Sequence, residues 1–366
     1  MRSCQLLTGA AVIAAATLAL SPNAAAQSEG GAAMLAPQFR VDPDWPKPLP
    51  NNWQLGQVAG VSVDADDNIW VLHRPRSLDS SEAGATDAHP GLFVCEEGGP
   101  TVAETATCDA NAEFAEPTPA DAFGHPRPDG PISDNAIPAP AVLKFDREGN
   151  LLDAWGGPLH HGEDWDWPDP IWTNASGVEC QWPANEHAIH VGDDGKVYIA
   201  SNGNGDGTTA AGLNDNGWDG QVLKFSQTGT CELQIGAPLG DGEPAELADS
   251  NDTDGGVNGT PQLFRPANMH VDGGELYIAD GYGNRRVVVV DAATGQYQRH
   301  WGAYGDVDID DQDPGSAAAD RPLASSRPAQ FRTPVHCVRI ADDGLIYVCD
   351  RVNNRIQVFN QEVGTD

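Results

Sequence analysis

Short apolar runs broken by Asp/Gly turns recur four times along the chain, always in one order. Each unit reads as a strand, an Asp/Gly turn, a second strand closing on Ala-Asp or Cys-Asp, an Asn-Arg pair, a third strand and a Gly turn. The fullest copy, PANMHVDGGELYIADGYGNRRVVVVDAATGQYQRHWG, runs from Pro266 to Gly302, and PVHCVRIADDGLIYVCDRVNNRIQVFNQEVG runs from Pro334 to Gly364. A weaker copy joins His187–Asn202 to Gln221–Gly236, and the first starts at Val58 and resumes at Ala141. Val-Tyr-Ile-Ala, Leu-Tyr-Ile-Ala and Ile-Tyr-Val-Cys mark second strands; Val-Leu-Lys-Phe and Ile-Gln-Val-Phe mark third strands. Gly195, Gly274 and Gly344 precede second strands, where a tight hairpin needs positive φ. Asn284-Arg285 and Asn354-Arg355 mark the next hairpin. A period of roughly 40 residues with three or four strands per unit predicts an all-β fold, a β-propeller. One residue per blade can then converge on the central channel, so chemistry is sought at matching positions.

The propeller is expected over residues 53–366, with its first blade beginning near Trp53 behind a Pro-rich lead-in at 27–52. A long insertion, about 77–140, interrupts that blade. It is rich in Ala, Pro, Gly and Asp, lacks alternation, and reads as a surface excursion. Shorter Asp/Gly insertions lie at 203–219 and 237–260. The last unit stops at Asp366 without a complete outer strand. A closed ring of four blades is uncommon and an open arc exposes strand edges, so the C-terminal blades are expected to be missing from this chain.

Composition narrows the partners. The 366 residues hold 54 acidic and 20 basic side chains, a formal charge of −34. That excludes nucleic acid, whose phosphates need a positive surface, and disfavours an anionic membrane. The Asp-rich loops read as a solubilising surface rather than as calcium loops, since none has EF-hand spacing. Residues 1–26 read as a Sec signal peptide: Arg2, the apolar stretch Leu6–Leu20, and Ala24-Ala25-Ala26 before Gln27. The apolar stretch is short for a membrane span, so a secreted or periplasmic protein is expected, without membrane insertion once the signal is removed, and as a monomer. Six cysteines remain after cleavage: Cys95, Cys108, Cys180, Cys231, Cys337 and Cys349. An even number in an exported chain implies disulfides, and six allow 15 pairings. Cys337 and Cys349 flank the ADDG turn and should face each other across a hairpin. Cys95 and Cys108 share one insertion, and Cys180 and Cys231 would tie the start of the second unit to its outer strand. No closely spaced cysteine pair points to a thiolate zinc site.

Two histidines hold matching positions. His187 stands eight residues before Gly195, and His336 eight before Gly344. Both lie where the innermost strand begins, so their imidazoles can share one ion. A catalytic zinc commonly takes three protein ligands and keeps one position open. His190 and His270 form another matched pair. An odd spacing along a strand reverses the face, which predicts that His190 points away from His187 and is structural.

The segments LGQVAGVSVDADDNIWVLHR (Leu55–Arg74), ADGYGNRR (Ala279–Arg286) and HCVRIADDGLIYVCDRVNNRIQVF (His336–Phe359) resemble the peptidyl-α-hydroxyglycine α-amidating lyases, members of the wider group of NHL-repeat β-propellers. The resemblance covers nearly all of the chain from Trp53 on, apart from the insertions. It implies an NHL-type β-propeller, six-bladed in that family with about four blades present here. It also implies a catalytic Zn²⁺ on channel histidines and a structural Ca²⁺. It places two zinc ligands on His187 and His336, the catalytic tyrosine on Tyr282, and the active-site arginines on Arg74 and Arg351. Backbone carbonyls of Val61 and Ile189 match the calcium positions. The chemistry is coherent: zinc polarises oxygen, a phenol near positive charge serves as general base, and guanidinium forks fit a carboxylate. The substrate is then a small molecule or peptide ending in an α-hydroxyglycine amide, cleaved to an amide and glyoxylate. Two departures stand against this. The family's third zinc histidine, with a calcium carboxylate, belongs to a last blade beyond Asp366, and Gly283 replaces a disulfide cysteine beside the tyrosine.

Other readings compete. Tyr282 can simply cover a blade edge, and Arg351 and Arg74 can make structural ion pairs. A non-catalytic NHL propeller would bind a protein or glycan partner on one face. A calcium-dependent lactonase-like hydrolase would want acidic and Asn ligands in the channel, where this chain has His.

Overall fold

The computed structural model describes residues 39–77, 137–157, 171–173, 179–203, 219–239, 249–309 and 330–365. The signal segment, Cys95, Cys108 and most of the long insertion lie outside the described residues. The chain divides into two compact units, Met1–Pro43 and Asp44–Asp366. Of the first, only 39–43 are described, and they are exposed. Among the described residues no helix is long and apolar enough to cross a membrane.

The second unit is built from strands. They are β1 (Trp53–Gln54), β2 (Gln57–Val63), β3 (Ile69–Arg74), β4 (Ile137–Pro138), β5 (Val142–Phe145), β6 (Leu151–Trp155), β7 (Ile171–Thr173), β8 (Glu179–Gln181), β9 (Glu186–Val191) and β10 (Val197–Ser201). Then come β11 (Gln221–Phe225), β12 (Cys231–Gly236), β13 (Pro266–Asp272), β14 (Glu275–Asp280), β15 (Arg286–Asp291), β16 (Tyr297–Trp301), β17 (Val335–Ile340), β18 (Ile346–Asp350) and β19 (Arg355–Phe359). Four antiparallel sheets result: β2-β3-β5-β6, β9-β10-β11-β12, β13-β14-β15-β16 and the three-stranded β17-β18-β19. Their first strands touch in succession, β2 on β9, β9 on β13 and β13 on β17. This is the propeller arrangement, with four blades. The hairpin glycines have the positive φ their turns require: +69° at Gly195, +86° at Gly274 and +74° at Gly344.

The core lies between blades, which explains the apolar runs. In β14, Leu276 and Ile278 join Ala188, Tyr198 and Val222 of the second blade. The alternate residues Tyr277 and Ala279 join Val335, Val338 and Val348 of the fourth. A strand sandwiched on both faces needs apolar residues at every position, so it reads as a continuous run rather than a polar alternation. Among the described residues, the faces of the first and fourth sheets that meet no other blade expose Val58, Val61 and Val63, and Ile356 and Val358.

Two details differ from the sequence reading. The first blade begins at Gln57, because Trp53 and Gln54 pair instead with Ile137 and Pro138 in a separate parallel ladder. The end of the long insertion is no surface excursion: Ala139 is fully buried against Trp53, Val71 and Leu143. The lead-in also packs, with Trp45 on Phe145 at 5.5 Å and Lys47 N–H donating to Gly149 C=O. Two disulfides stand as expected. Cys337 and Cys349 are direct cross-strand partners, and Cys180 of β8 is tied to Cys231 of β12. They are compatible with an exported protein.

Candidate active site

A repeated staple fixes the ends of the second strands. Asp280, at the end of β14, is fully buried and pairs with Arg286 at 2.9 Å. It also accepts from Phe264 N–H and from the Asn284 amide. Asp350, at the end of β18, pairs with Arg355 at 2.6 Å and accepts from Arg332 N–H and Asn353. His73 holds the same place in the first blade. Its Nδ1 accepts from Gly56 N–H, so its Nε2 carries the proton that faces the Ala139 and Pro140 carbonyls. One residue follows this position in each of these three blades. In the first and fourth blades that residue is arginine, Arg74 and Arg351.

Four of the predicted residues, Tyr282, His187, His336 and Arg351, meet at one point, and Arg74 lies alongside. Tyr282 Oη lies 3.1 Å from His187 Nε2 and 3.1 Å from His336 Nε2. Arg351 Nη1 donates to the same oxygen at 3.4 Å. The two imidazoles stand edge-to-face with ring centres 5.4 Å apart. Arg74 Nε donates to the Glu186 carbonyl, next to His187, at 2.7 Å, and Arg74 also reaches Gln57. Among the described residues neither Arg74 nor Arg351 forms an ion pair with a carboxylate. Asp350 is taken by Arg355.

The proton pattern follows from the donors. His187 Nδ1 faces the Ala267 carbonyl at 2.8 Å, and a carbonyl only accepts. Nδ1 therefore carries the proton and Nε2 offers a lone pair toward Tyr282 Oη. Burial, then the His336, Arg74 and Arg351 charges, push the His187 imidazole down to about 4, against the bond to Ala267. Burial and Arg351 push His336 down as well. Both are neutral at pH 7, the ligand form of imidazole, and a backbone carbonyl on the far nitrogen is the usual orienting partner of a metal-bound histidine. Among the described residues no three His, Cys, Asp or Glu side chains gather at one point, so these two imidazoles supply half of a tetrahedral set.

Sequence reasoning missed Arg265. Its guanidinium lies 5.4 Å from the Tyr282 ring centre, and that of Arg351 5.6 Å, so two cations face one ring. Arg265 Nε donates to the Asn202 carbonyl, and its own carbonyl accepts from Tyr282 N–H. Gly283 has a physical reason. A Cβ there would stand 2.2 Å from the buried Phe264 ring, so a cysteine has no room.

Val61 and Ile189 lie on the adjoining inner strands β2 and β9. Val191 N–H donates to Ser62 there, and a Cβ on Gly60 would lie 3.0 Å from Ile189 N. His190 does not point away from His187. The β9–β10 register shifts between Ala200 and Ser201, opposite His187, so the parity of the strand is broken. Both histidines face the third blade, His187 at Ala267 and His190 at His270, with ring centres of the latter pair 4.7 Å apart.

The family model of the NHL repeat matches residues 335–359, which hold β17 to β19. Peptidyl-glycine alpha-amidating monooxygenases A and B of Xenopus laevis are 30% and 31% identical to this chain over 102 residues, 27% of its length. The match spans only 9% and 10% of those proteins. Among solved structures, the computationally designed Ika4 protein has a TM-score of 0.31 at 10% identity, over 84% of this chain and 92% of that one. A streptogramin B lyase has a TM-score of 0.28 at 12% identity, over 84% and 83%. The chain is a β-propeller carrying an NHL repeat, with a distant likeness to the amidating monooxygenases.

Proposed function

We propose that this chain carries the site of an exported zinc-dependent lyase that cleaves the C–N bond of peptidyl-α-hydroxyglycine-type amides, releasing an amide and glyoxylate. One observation carries the reading: imidazoles from two blades and a guanidinium from a third element converge on the phenol oxygen of Tyr282. A structural cluster has no need of two neutral imidazoles aimed at one hydroxyl inside a channel. His187 and His336 would hold the zinc through Nε2, and bound zinc would supply Lewis acidity toward the substrate's hydroxyl and carbonyl oxygens. The carbonyls of Val61 and Ile189 would hold a structural calcium.

The chain's own residues do the rest. Arg74 and Arg351 offer fork-shaped donors for the substrate carboxylate, although the chain as a whole is strongly acidic. Tyr282 Oη, once its own proton has left, takes the proton of the α-hydroxyl as general base and passes it to the departing amide nitrogen. The C–O bond becomes the aldehyde carbonyl as the C–N bond breaks, and the amide nitrogen takes up a proton. Atoms balance as one amide and one glyoxylate, with no oxidant or reductant.

The test is glyoxylate release from an N-acyl-α-hydroxyglycine by the full chain, before and after chelation and zinc reloading. The expected result is release that chelation abolishes and zinc restores, and that His187→Ala removes together with an equivalent of zinc. Zinc-loaded protein that releases no glyoxylate above the uncatalysed rate would end this reading.

A further inference from the structure

We propose that His190 and His270 form a second metal site, taking a divalent first-row transition ion, where the inner strands end in their hairpin turns. The Tyr282 cluster lies where those strands begin; three residues of strand separate His190 from His187, roughly 10 Å of rise. The rings of His190 and His270 lie 4.7 Å apart and 32° from parallel. Nε2 of His190 and Nδ1 of His270 are both buried and, among the described residues, have no hydrogen-bond partner. Burying a polar nitrogen without a partner is costly, and a native fold keeps such a group where something else satisfies it. Here two such nitrogens belong to rings whose centres are 4.7 Å apart.

Their surroundings favour a cation. The pair lines a cavity of about 410 Å³ with Asp193, Asp272 and Asp342, which sit at the hairpin tips of three successive blades, and with Gln361. Gln361 Nε2 donates to Asp272 Oδ2. Arg339 approaches from β17, its Nη1 donating to Asn268 and to the Met269 and Val338 carbonyls. Three carboxylates outnumber one guanidinium, so the cavity attracts positive charge. Imidazole nitrogen beside carboxylate oxygen suits zinc, copper or nickel, whereas calcium and magnesium prefer oxygen alone. Since no three ligating side chains are already gathered among the described residues, the two imidazoles anchor the ion, and water or a turn carboxylate completes it.

Copper(II), the tightest binder of the divalent series, is the probe. The full chain is used with His187→Ala and His336→Ala, which removes the other imidazole pair. The expected result is one tightly bound equivalent whose paramagnetic resonance shows coupling to two imidazole nitrogens. Adding His190→Phe or His270→Asn should remove that equivalent. Should His190→Phe fail to fold, His270→Asn carries the test by itself. Copper held only by oxygen, or an equivalent that survives His270→Asn in folded protein, overturns the site.

Discussion

Tyr282 shows how much rests on single atoms. His187 Nδ1 is committed to a carbonyl, so its Nε2 must accept, and Tyr282 Oη is the hydroxyl in reach. Removing that oxygen while keeping the ring separates chemistry from packing. Tyr282→Phe is expected to leave the fold and zinc content unchanged, because Arg265 and Arg351 still face the ring. Glyoxylate release should fall by about 10²–10⁴-fold, the range for a lost general base. A Phe variant with wild-type turnover would remove Tyr282 from the mechanism. At this scale the sequence was readable where blades repeat. His187 and His336 hold matching positions before their turn glycines, while Arg74 and Arg351 were placed by the resemblance of their segments to the lyase family. Arg265 was hidden by an offset. Phe264 N–H bonds Asp280 as Arg332 N–H bonds Asp350, so Arg265 stands one place beyond Arg332 although both follow a phenylalanine. Matching the Phe-Arg pairs by eye aligns the wrong residues, and the left-handed φ of +56° at Arg265 has no sequence signature in an arginine.

The Asp–Arg staple closes the second strands of the third and fourth blades. Arg286 is fully buried, and besides Asp280 it donates to the carbonyls of Ser250, Asp252 and Gln262. Those carbonyls belong to the loop before β13, so the staple also orders residues that read as an Asp/Gly insertion in the sequence. Asp280→Ala leaves a buried guanidinium without its counter-charge, and should cost roughly 3–5 kcal/mol in urea unfolding. Asp350→Ala should cost less, because Arg355 is partly exposed and can turn to water. Equal losses would show that burial does not set the value of the staple. Strands and hairpins were legible because their apolar runs and turn glycines are local. The β1–β4 pairing was not, because its partners are separated by the long insertion and are only two residues each. The bulge opposite His187 was equally hidden, since one shifted residue leaves the apolar pattern of β9 intact while reversing which way a histidine points.

Taken over the whole unit, the buried imidazoles make stability depend on pH in a direction that can be worked out. Burial, with the His270 and Arg339 charges, pushes His190 down to about 3, and His187 is pushed down to about 4. Burial pushes His270, His300 and His336 down too. Each of these groups has a folded value below its unfolded one, near 6.5. Between the two values the unfolded chain binds a proton that the folded chain refuses, so stability is full above about pH 6.5 and falls as the pH drops toward the folded values. At pH 5 the penalty is about 2 kcal/mol for each of His187 and His190. Together that is a large part of the ~5–15 kcal/mol that holds a typical domain. Asp64 continues the trend at lower pH. Its burial opposes ionisation, but hydrogen bonds from Trp70 and Asn68 and the Lys144 ion pair outweigh it and hold the carboxyl well below the usual range. Its contribution is present above about pH 4 and is lost as the carboxyl is protonated. Urea unfolding of the metal-free protein, in chelator, should therefore show a midpoint that drops steadily from pH 7 to pH 5 and again below pH 4. Replacing His190 by a residue that cannot take a proton should flatten the upper part of the profile. Stability that stays level from pH 7 to pH 5 would mean that these imidazoles ionise freely in the folded chain, contrary to their burial between the blades.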